Sequence, residues 1–406
     1  MSEDRRQRVG SSSGSTEDKV GSSSGSTEDK VMSSSGSTED KVMSSPGATA
    51  DPDEIGETLI HDPGELSYRQ LIWRRFRKSK LGVVSAFVLV ALYLVAAFAG
   101  FFSPYHYNAI DIRYRHVPPQ RLHFSPGRGV YVDGLKSVRD PQTLELVFTT
   151  DPSQTYPVSL LYRDAHGKRH LFGSDGPMFL LGTDRMGRDL LSRIIYGGRV
   201  SLSVGLIGVI LSLILGSFLG TVSGYWGGWI DDLVQRFIEL LSAFPGIPLW
   251  MALASALPPG WSSIKVYFGI TIILSLIGWG GLARQVRGKV LAYREQDFVT
   301  AARAAGAGHW HIITRHLLPG CYSHIIVIST LAIPGMILGE TALSFLGLGI
   351  RPPMTSWGVL LEEAQRVTVL LHNPWLLFPA IPVLIVVIAY NFLGDALRDA
   401  ADPYSY

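Results

Sequence analysis

The amino-acid sequence predicts an all-α integral membrane protein with six transmembrane helices and a small β-containing extracytoplasmic insertion between helices 1 and 2. Three observations carry that expectation. The 406-residue chain is 47% hydrophobic and only 17% charged, with a mean hydropathy of +0.21, which is too apolar for a soluble chain of this length. Its apolar residues gather into six runs, each near the roughly 20 residues that a helix needs to cross a bilayer core. Its cations are placed asymmetrically. Arg284, Arg287, Lys289, Arg294, Arg303 and Arg315 crowd one segment, whereas the short loops assigned to the other side hold only Lys265 in one, and Arg351 with Arg366 in the other.

Residues 1–60 read as a disordered repeat tail. From Gly10 to Val42 the unit GSSSGSTEDKV recurs, with Met32 in place of the third glycine. One valine beside a Ser/Gly block offers almost nothing to bury, so no packed supercoil is expected. Gly10, Ser12 and Gly14 match the spacing of a hydrolase nucleophile turn, but the apolar strand and helix that such a turn needs are missing around them. Residues 61–102 read as an interfacial helix followed by helix 1. The stretch SYRQLIWRRFRKSK has aromatics at helical spacing, and Arg74, Arg75, Arg77, Lys78 and Lys80 directly precede the uncharged run Leu81 to Phe102. That cationic flank puts the N-terminus in the cytoplasm, and the long polar leader argues for a retained anchor rather than a cleaved signal.

Residues 103–198 read as an extracytoplasmic subdomain. LELVFTTD has strand character, and VSLLYRDAHGKRHLF reads as a hairpin turning at Asp164 to Gly167. The many arginines here do not oppose the orientation, because the charge bias fades in loops longer than about 60 residues. A docking surface, a plug and a simple spacer are all compatible with this segment.

Residues 199–395 form the expected five-helix core. Val200 to Val222 is rich in Gly and Ser, and Gly205, Ser212 and Gly216 allow close helix packing. Leu233 to Leu257 follows, with Pro245 and Pro248 expected to kink its middle beside a water-filled path. The remaining spans are expected at Val266 to Leu282, Ile325 to Leu348 and Trp375 to Leu393, leaving 396–406 as a cytoplasmic tail. Inside the fifth run Glu340 is an ionisable group in apolar surroundings. It is either a carboxylate on the translocation path or gate, or one satisfied by nearby backbone close to the outer interface after a break at Pro334–Gly335.

Between the fourth and fifth runs lies 284–319, ending in EQDFVTAARAAGAGHWHIITRHLLP from Glu295 to Pro319. Asp297 to Ala305 are good helix formers, Gly306 and Gly308 give the freedom of a turn, and Trp310 to Leu318 can form a second helix that Pro319 ends. A helical hairpin at the cytoplasmic face is a handle for a partner. Its residues Thr300, Ala301, Ala302, Gly306, His316, Leu318 and Pro319 resemble the EAA loop of ATP-binding-cassette importer permeases, with Thr300 where a glutamate is usual and His316 where an isoleucine is usual. GTDRMGRD from Gly182, FPGIP, ETALSFLGLGIRPPMTSWG from Glu340 and GDALRDAADP from Gly394 are similar to the oligopeptide, dipeptide and nickel branch of that family.

The resemblance implies a permease subunit of a binding-protein-dependent importer in the bacterial inner membrane, multi-pass, with both termini cytoplasmic. It implies as partners a second, similar permease, two ATP-binding-cassette ATPase subunits that hold ATP and Mg, an extracytoplasmic solute-binding protein and membrane lipid. Peptides or similar small solutes are the implied cargo. The rival reading is a membrane-anchored sensor or docking protein, against which the Gly- and Pro-interrupted spans argue. No GxxxxGK[ST] loop and no HExxH occur in the sequence, so no catalytic residue and no cofactor are assigned to this chain. The net charge of +2 gives no reason to expect a nucleic-acid partner. Cys321 is the only cysteine, and His309, His311 and His316 have no acidic or sulfur companions in sequence, so no metal site is expected.

Overall fold

A basic helix, α1 (Tyr68–Lys78), comes first among the residues described by the computed structural model, which are 68–139, 146–164 and 167–402. The repeats of the N-terminal tail lie outside the described residues. Phe76 of α1 is buried against Ala396 and Ala400 of the last helix, with Ile72 and Leu393 packed beside them. Ser79 then caps α2 (Lys80–Ala97) by accepting from the Gly82 amide at 3.2 Å, so the elbow between α1 and the first span is a helix cap.

The insertion is a small sheet. β1 (Leu122–Ser125), β2 (Gly129–Arg139) and β3 (Leu146–Pro157) form an antiparallel meander with β2 in the centre, and β4 (Ser159–Leu160) pairs with β5 (Phe172–Gly173). The turn at Asp164 to Gly167 is present, closed by Gly167 N–H to Asp164 O at 2.9 Å, although its two inner residues are not described. The central strand is the element that pattern reading misses. Asp133–Gly134 looks like a turn signal there, yet it marks a register shift in the β2–β3 ladder, with Gly134 pressed against Gln154.

Five helices among the described residues are long and apolar enough to cross a membrane: Lys80–Ala97, Leu190–Trp226, Ser263–Arg294, His309–Phe345 and Pro374–Ala401. The third expected span departs from expectation. It is two helices, α4 (Gly228–Ser242) and α5 (Gly246–Ser255), bent by 87° at the break between them. Pro245 does not kink a continuous helix but stands at the N-cap of α5, and Pro248 lies in the first turn of α5, where a missing N–H costs nothing. A proline at the N-cap starts a new helix, which frees the direction of the chain.

The core sits where α3 (Leu190–Trp226) runs against α6 (Ser263–Arg294). Ser212 donates to the Ser275 carbonyl at 3.0 Å, and Ser275 returns a bond to the Gly208 carbonyl at 3.0 Å. A Cβ on Gly216 would stand 2.9 Å from the Trp279 carbonyl, so the two backbones touch because glycine is there. Gly205 instead makes room for a side chain, since a Cβ there would stand 2.5 Å from Ile337 Cγ1 of α9 (Leu318–Phe345). Pro334 lies inside α9, which continues through the Pro334–Gly335 pair without the break expected there. The short α10 (Trp357–Glu362) and α11 (Val367–His372) then lead to α12 (Ala380–Ala401), whose Val383, Val386 and Tyr390 join the same apolar core.

Candidate functional site

The hairpin is built as two helical pieces around one left-handed glycine. α7 (Asp297–Ala304) ends at Ala305, and Gly306 takes φ +81° with open space where a Cβ would stand. The turn is closed by Gly306 N–H to Arg303 O at 2.9 Å and Ala307 N–H to Ala302 O at 3.0 Å. The chain resumes at α8 (His309–Ile312), an α-helical turn followed by a π-helical turn, Ile313–Leu317, that runs directly into α9. Pro319 does not end the second helix but sits in the first turn of α9, and His309 to Phe345 is one helical run. The π turn explains the tolerance. Leu318 donates five residues back to Ile313 O, and the widened turn makes room for a ring that carries no N–H.

The hairpin is fastened to the spans by an apolar cluster. Val299 of α7 and Ile312, Ile313 and Leu317 of the helical run are all at most 2% exposed and pack with Tyr225, Val286 and Val290 at the ends of α3 and α6. Ala302 and Leu318 are half-buried at its edge. Cys321 is buried in the cluster as a small apolar residue. Thr300, Ala301, Gly306 and Pro319 point away from the cluster and are exposed, with His316 half-buried. Among the described residues, Phe298, Ala301, Gly306 and His316 line an open groove of about 630 Å³. The seven residues singled out in the sequence therefore divide between an outer wall and a buried edge.

Several residues that anchor the hairpin escaped the sequence reading. The Tyr225 hydroxyl lies 2.9 Å from His309 Nδ1, and the Arg303 guanidinium sits 5.5 Å from the Tyr225 ring centre. Trp310 stacks on Phe218 and meets Trp226 edge-on. Arg287 Nε donates to Asp231 Oδ1 at 2.6 Å, tying the start of α4 to α6, and Ser223 also bonds that carboxylate. Aromatic pairs at the ends of adjacent spans are the signal that could have found them, but which helix ends meet is not visible in one sequence. His311 and His316 approach within 5.8 Å ring to ring, yet no group of three or more metal-capable side chains occurs among the described residues.

Glu340 is completely buried and saturated by hydroxyls. Ser344 Oγ donates to it at 2.7 Å and Ser201 Oγ of α3 at 3.0 Å, and the Ser356 hydroxyl reaches it as well. Ser201 Oγ also accepts from Trp357 N–H at 3.1 Å, and Ser344 Oγ from Ile350 N–H at 3.1 Å. The carboxylate thus joins α3, α9 and the start of α10. Ser201 lies 139 residues away and Ser356 in another element, and the sequence reading named none of the three hydroxyls.

The GTDRMGRD segment forms a second knot. Asp184 Oδ1 accepts the Met186 and Arg188 amides at 2.8 and 3.0 Å, while its Oδ2 pairs with Arg188 Nε at 2.7 Å and with Arg193. Thr183 Oγ1 donates to Tyr114 O at 2.6 Å and accepts from Val117 N–H at 2.8 Å. Asp189 caps α3 through Ser192 N–H at 2.8 Å, and burial pushes its carboxyl up to about 6.

The family described as binding-protein-dependent transport system inner membrane component matches residues 212–404, and the N-terminal transmembrane domain of oligopeptide transport permease C matches 67–119. The chain is 33% identical over 339 residues to the dipeptide transport system permease protein DppC of Bacillus subtilis, covering 83% of this chain and 86% of that one. It belongs to the binding-protein-dependent transport permeases. The glutathione transport system permease protein GsiD of Pectobacterium atrosepticum is 40% identical over 223 residues, 55% of this chain and 72% of that protein. The oligopeptide transport system permease protein OppC of Haemophilus influenzae is 43% identical over 224 residues, 55% of this chain and 69% of that protein. The chain is therefore a multi-pass permease subunit of an ATP-binding-cassette importer. The sensor reading is set aside.

Proposed function

We propose that this permease forms half of a translocation path for peptides or similar small solutes, the other half coming from a second, similar permease. Two ATPase subunits hydrolyse ATP with Mg below it, and a solute-binding protein delivers cargo from outside. The bent pair α4–α5 counts as one of six spans, so both termini are cytoplasmic in the bacterial inner membrane and the β insertion is external. The names of the relatives support a peptide cargo. The Glu295 to Pro319 hairpin is the part that meets an ATPase, with Thr300, Ala301, Ala302, Gly306, His316, Leu318 and Pro319 forming its wall and its mount.

The observation that carries this reading is the way the hairpin is held. Val299, Ile312, Ile313 and Leu317 bury it against two spans, so a push on its exposed wall moves α3, α6 and α9 together. A loop hung only by its ends would absorb the push. Movement of those helices, with the broken α4–α5 pair beside them, would alternate the path between outward and inward access.

The test is co-purification from membranes in mild detergent with an ATPase assay on the eluate. The unaltered chain should bring a second permease and ATPase subunits with it. Ala301→Trp, which fills the groove from an exposed position, should lose the ATPases while the thermal unfolding midpoint stays unchanged. ATPases retained at full yield with Ala301→Trp would place the contact elsewhere on the chain.

A further inference from the structure

The first helix, α1, has used up one face and left the other unmatched. Phe76 and Ile72 face α12, and Arg75 donates to the Asp402 carbonyl, so this side of the helix is committed to the C-terminal helix. On the opposite side Arg74, Arg77 and Lys78 are all exposed. Their spacing of i, i+3 and i+4 makes them surface neighbours on one helix, with Cβ atoms about 5–6 Å apart. Three like charges at that distance repel, and no acidic side chain among the described residues forms an ion pair with any of them. Trp73 stands beside them, 60% exposed and stacked on Phe76.

The position of this face limits what can neutralise it. One residue, Ser79, separates α1 from α2, the first span, whose Leu81, Val84 and Phe87 are 62%, 59% and 74% exposed. Those side chains belong in hydrocarbon, and a cationic face one turn away belongs at the headgroups. An exposed indole next to cations is the composition of the membrane boundary. The partner must carry negative charge, accept several N–H donors and sit at the end of a span.

The geometry points to a binding site for anionic phospholipid headgroups formed by Arg74, Arg77 and Lys78, with Trp73 seated beside the glycerol and acyl region. The chemical class is a phosphodiester with no compensating cation, so phosphatidylglycerol-type lipids bind and zwitterionic phosphatidylcholine does not. The two arginines supply paired donors to phosphate oxygens, and the lysine adds a third charge. Because Arg75 and Phe76 fix α1 to α12, a lipid held here also holds the end of the chain's last span.

The experiment extracts the full-length permease with its native lipid annulus into polymer-bounded discs from membranes containing both lipid classes. The ratio of anionic to zwitterionic phospholipid retained per protein is then measured by mass spectrometry. Arg74→Gln, Arg77→Gln and Lys78→Gln combined should lower that ratio several-fold and bring it close to that of the bulk membrane. The control is Arg121→Gln, Lys136→Gln and Arg139→Gln combined, which removes the same charge from the β insertion and should leave the ratio unchanged. Equal ratios for the α1 variant and the unaltered chain, with both folded by thermal unfolding, would overturn the proposal. So would enrichment that appears only after removal of the acid-rich residues 51–65, since that result would show the face covered by the chain itself.

Discussion

The hairpin at Glu295 to Pro319 and the knot at Asp184 place their polarity in opposite ways. In the knot one carboxylate is 1% exposed and is met by two guanidinium groups and two backbone amides, so each contact depends on the others. In the hairpin the apolar residues are buried while Thr300, Ala301, Gly306 and Pro319 face outward. A saturated buried network fixes one geometry, whereas an exposed wall on a packed mount keeps its surface available to another molecule. The two regions should therefore respond differently to small substitutions. Changes in the knot should act on folding, and changes in the wall, on the proposed function, on assembly.

The largest effect is expected from Asp184→Ala. It leaves Arg188 and Arg193, 8% and 4% exposed, without their counter-charge. Removing one partner of a buried ionic network costs about 3–5 kcal/mol, so the variant should show a sharply lowered thermal unfolding midpoint or fail to accumulate in the membrane. Normal stability would mean that the network is not the constraint it looks to be. Glu340→Ala comes next. It strands hydroxyls from Ser201, Ser344 and Ser356 in a fully buried place, at a cost of about 1–3 kcal/mol. Glu340→Gln keeps an acceptor and should recover much of that loss. If Glu340→Ala instead lowered uptake at unchanged stability, the carboxylate would act on the path and not as a fastener.

Asp189 separates capping from charge within the same knot. Its carboxyl is raised from 3.8 to about 6 because burial disfavours the anion more than the Ser192 cap favours it. The folded state then holds this proton more tightly than the unfolded state. Stability from this group is full below pH about 4 and falls as pH rises through about 6, by about 3 kcal/mol over the interval. Asp189→Asn preserves the cap and removes the titration, so unfolding midpoints at pH 5 and 7 should differ less in the variant than in the unaltered chain. An identical pH response in both proteins would remove Asp189 from the account.

The positions of most spans were legible because hydrophobic run length is a local property. The broken third span was not, since Pro245 and Pro248 announce an interruption without saying whether the helix bends or restarts. The hairpin's turn was legible from Gly306, but the fate of Pro319 depended on a π turn that no residue advertises. Glu340 stood out as a charge in an apolar run, while its partners Ser201 and Ser356 lie in other elements and look like ordinary small residues. The Tyr225–His309 and Asp231–Arg287 contacts escaped for the same reason. Local chemistry marks which residues need partners, and only the fold supplies them.

The smallest effect tests the hairpin's backbone alone. Gly306 and Gly308 both have open space where a Cβ would stand, so neither substitution by alanine meets a neighbour. They differ in conformation. Gly306 has φ +81°, whereas Gly308 has φ −68° and ψ 156°, which any residue adopts. Gly306→Ala should therefore cost about 1 kcal/mol through left-handed strain, and Gly308→Ala, which carries no such strain at a helix N-cap where glycine is only modestly enriched, less than that. Unfolding midpoints of the two variants side by side isolate the turn, because the chemical change is the same and lies on the same exposed loop. If both behave alike, the left-handed turn is not held by the mount, and the hairpin is softer than its buried residues require. If Gly306→Ala alone is destabilised, and co-purification of the ATPases weakens with it, the shape of the turn is part of what the partner recognises.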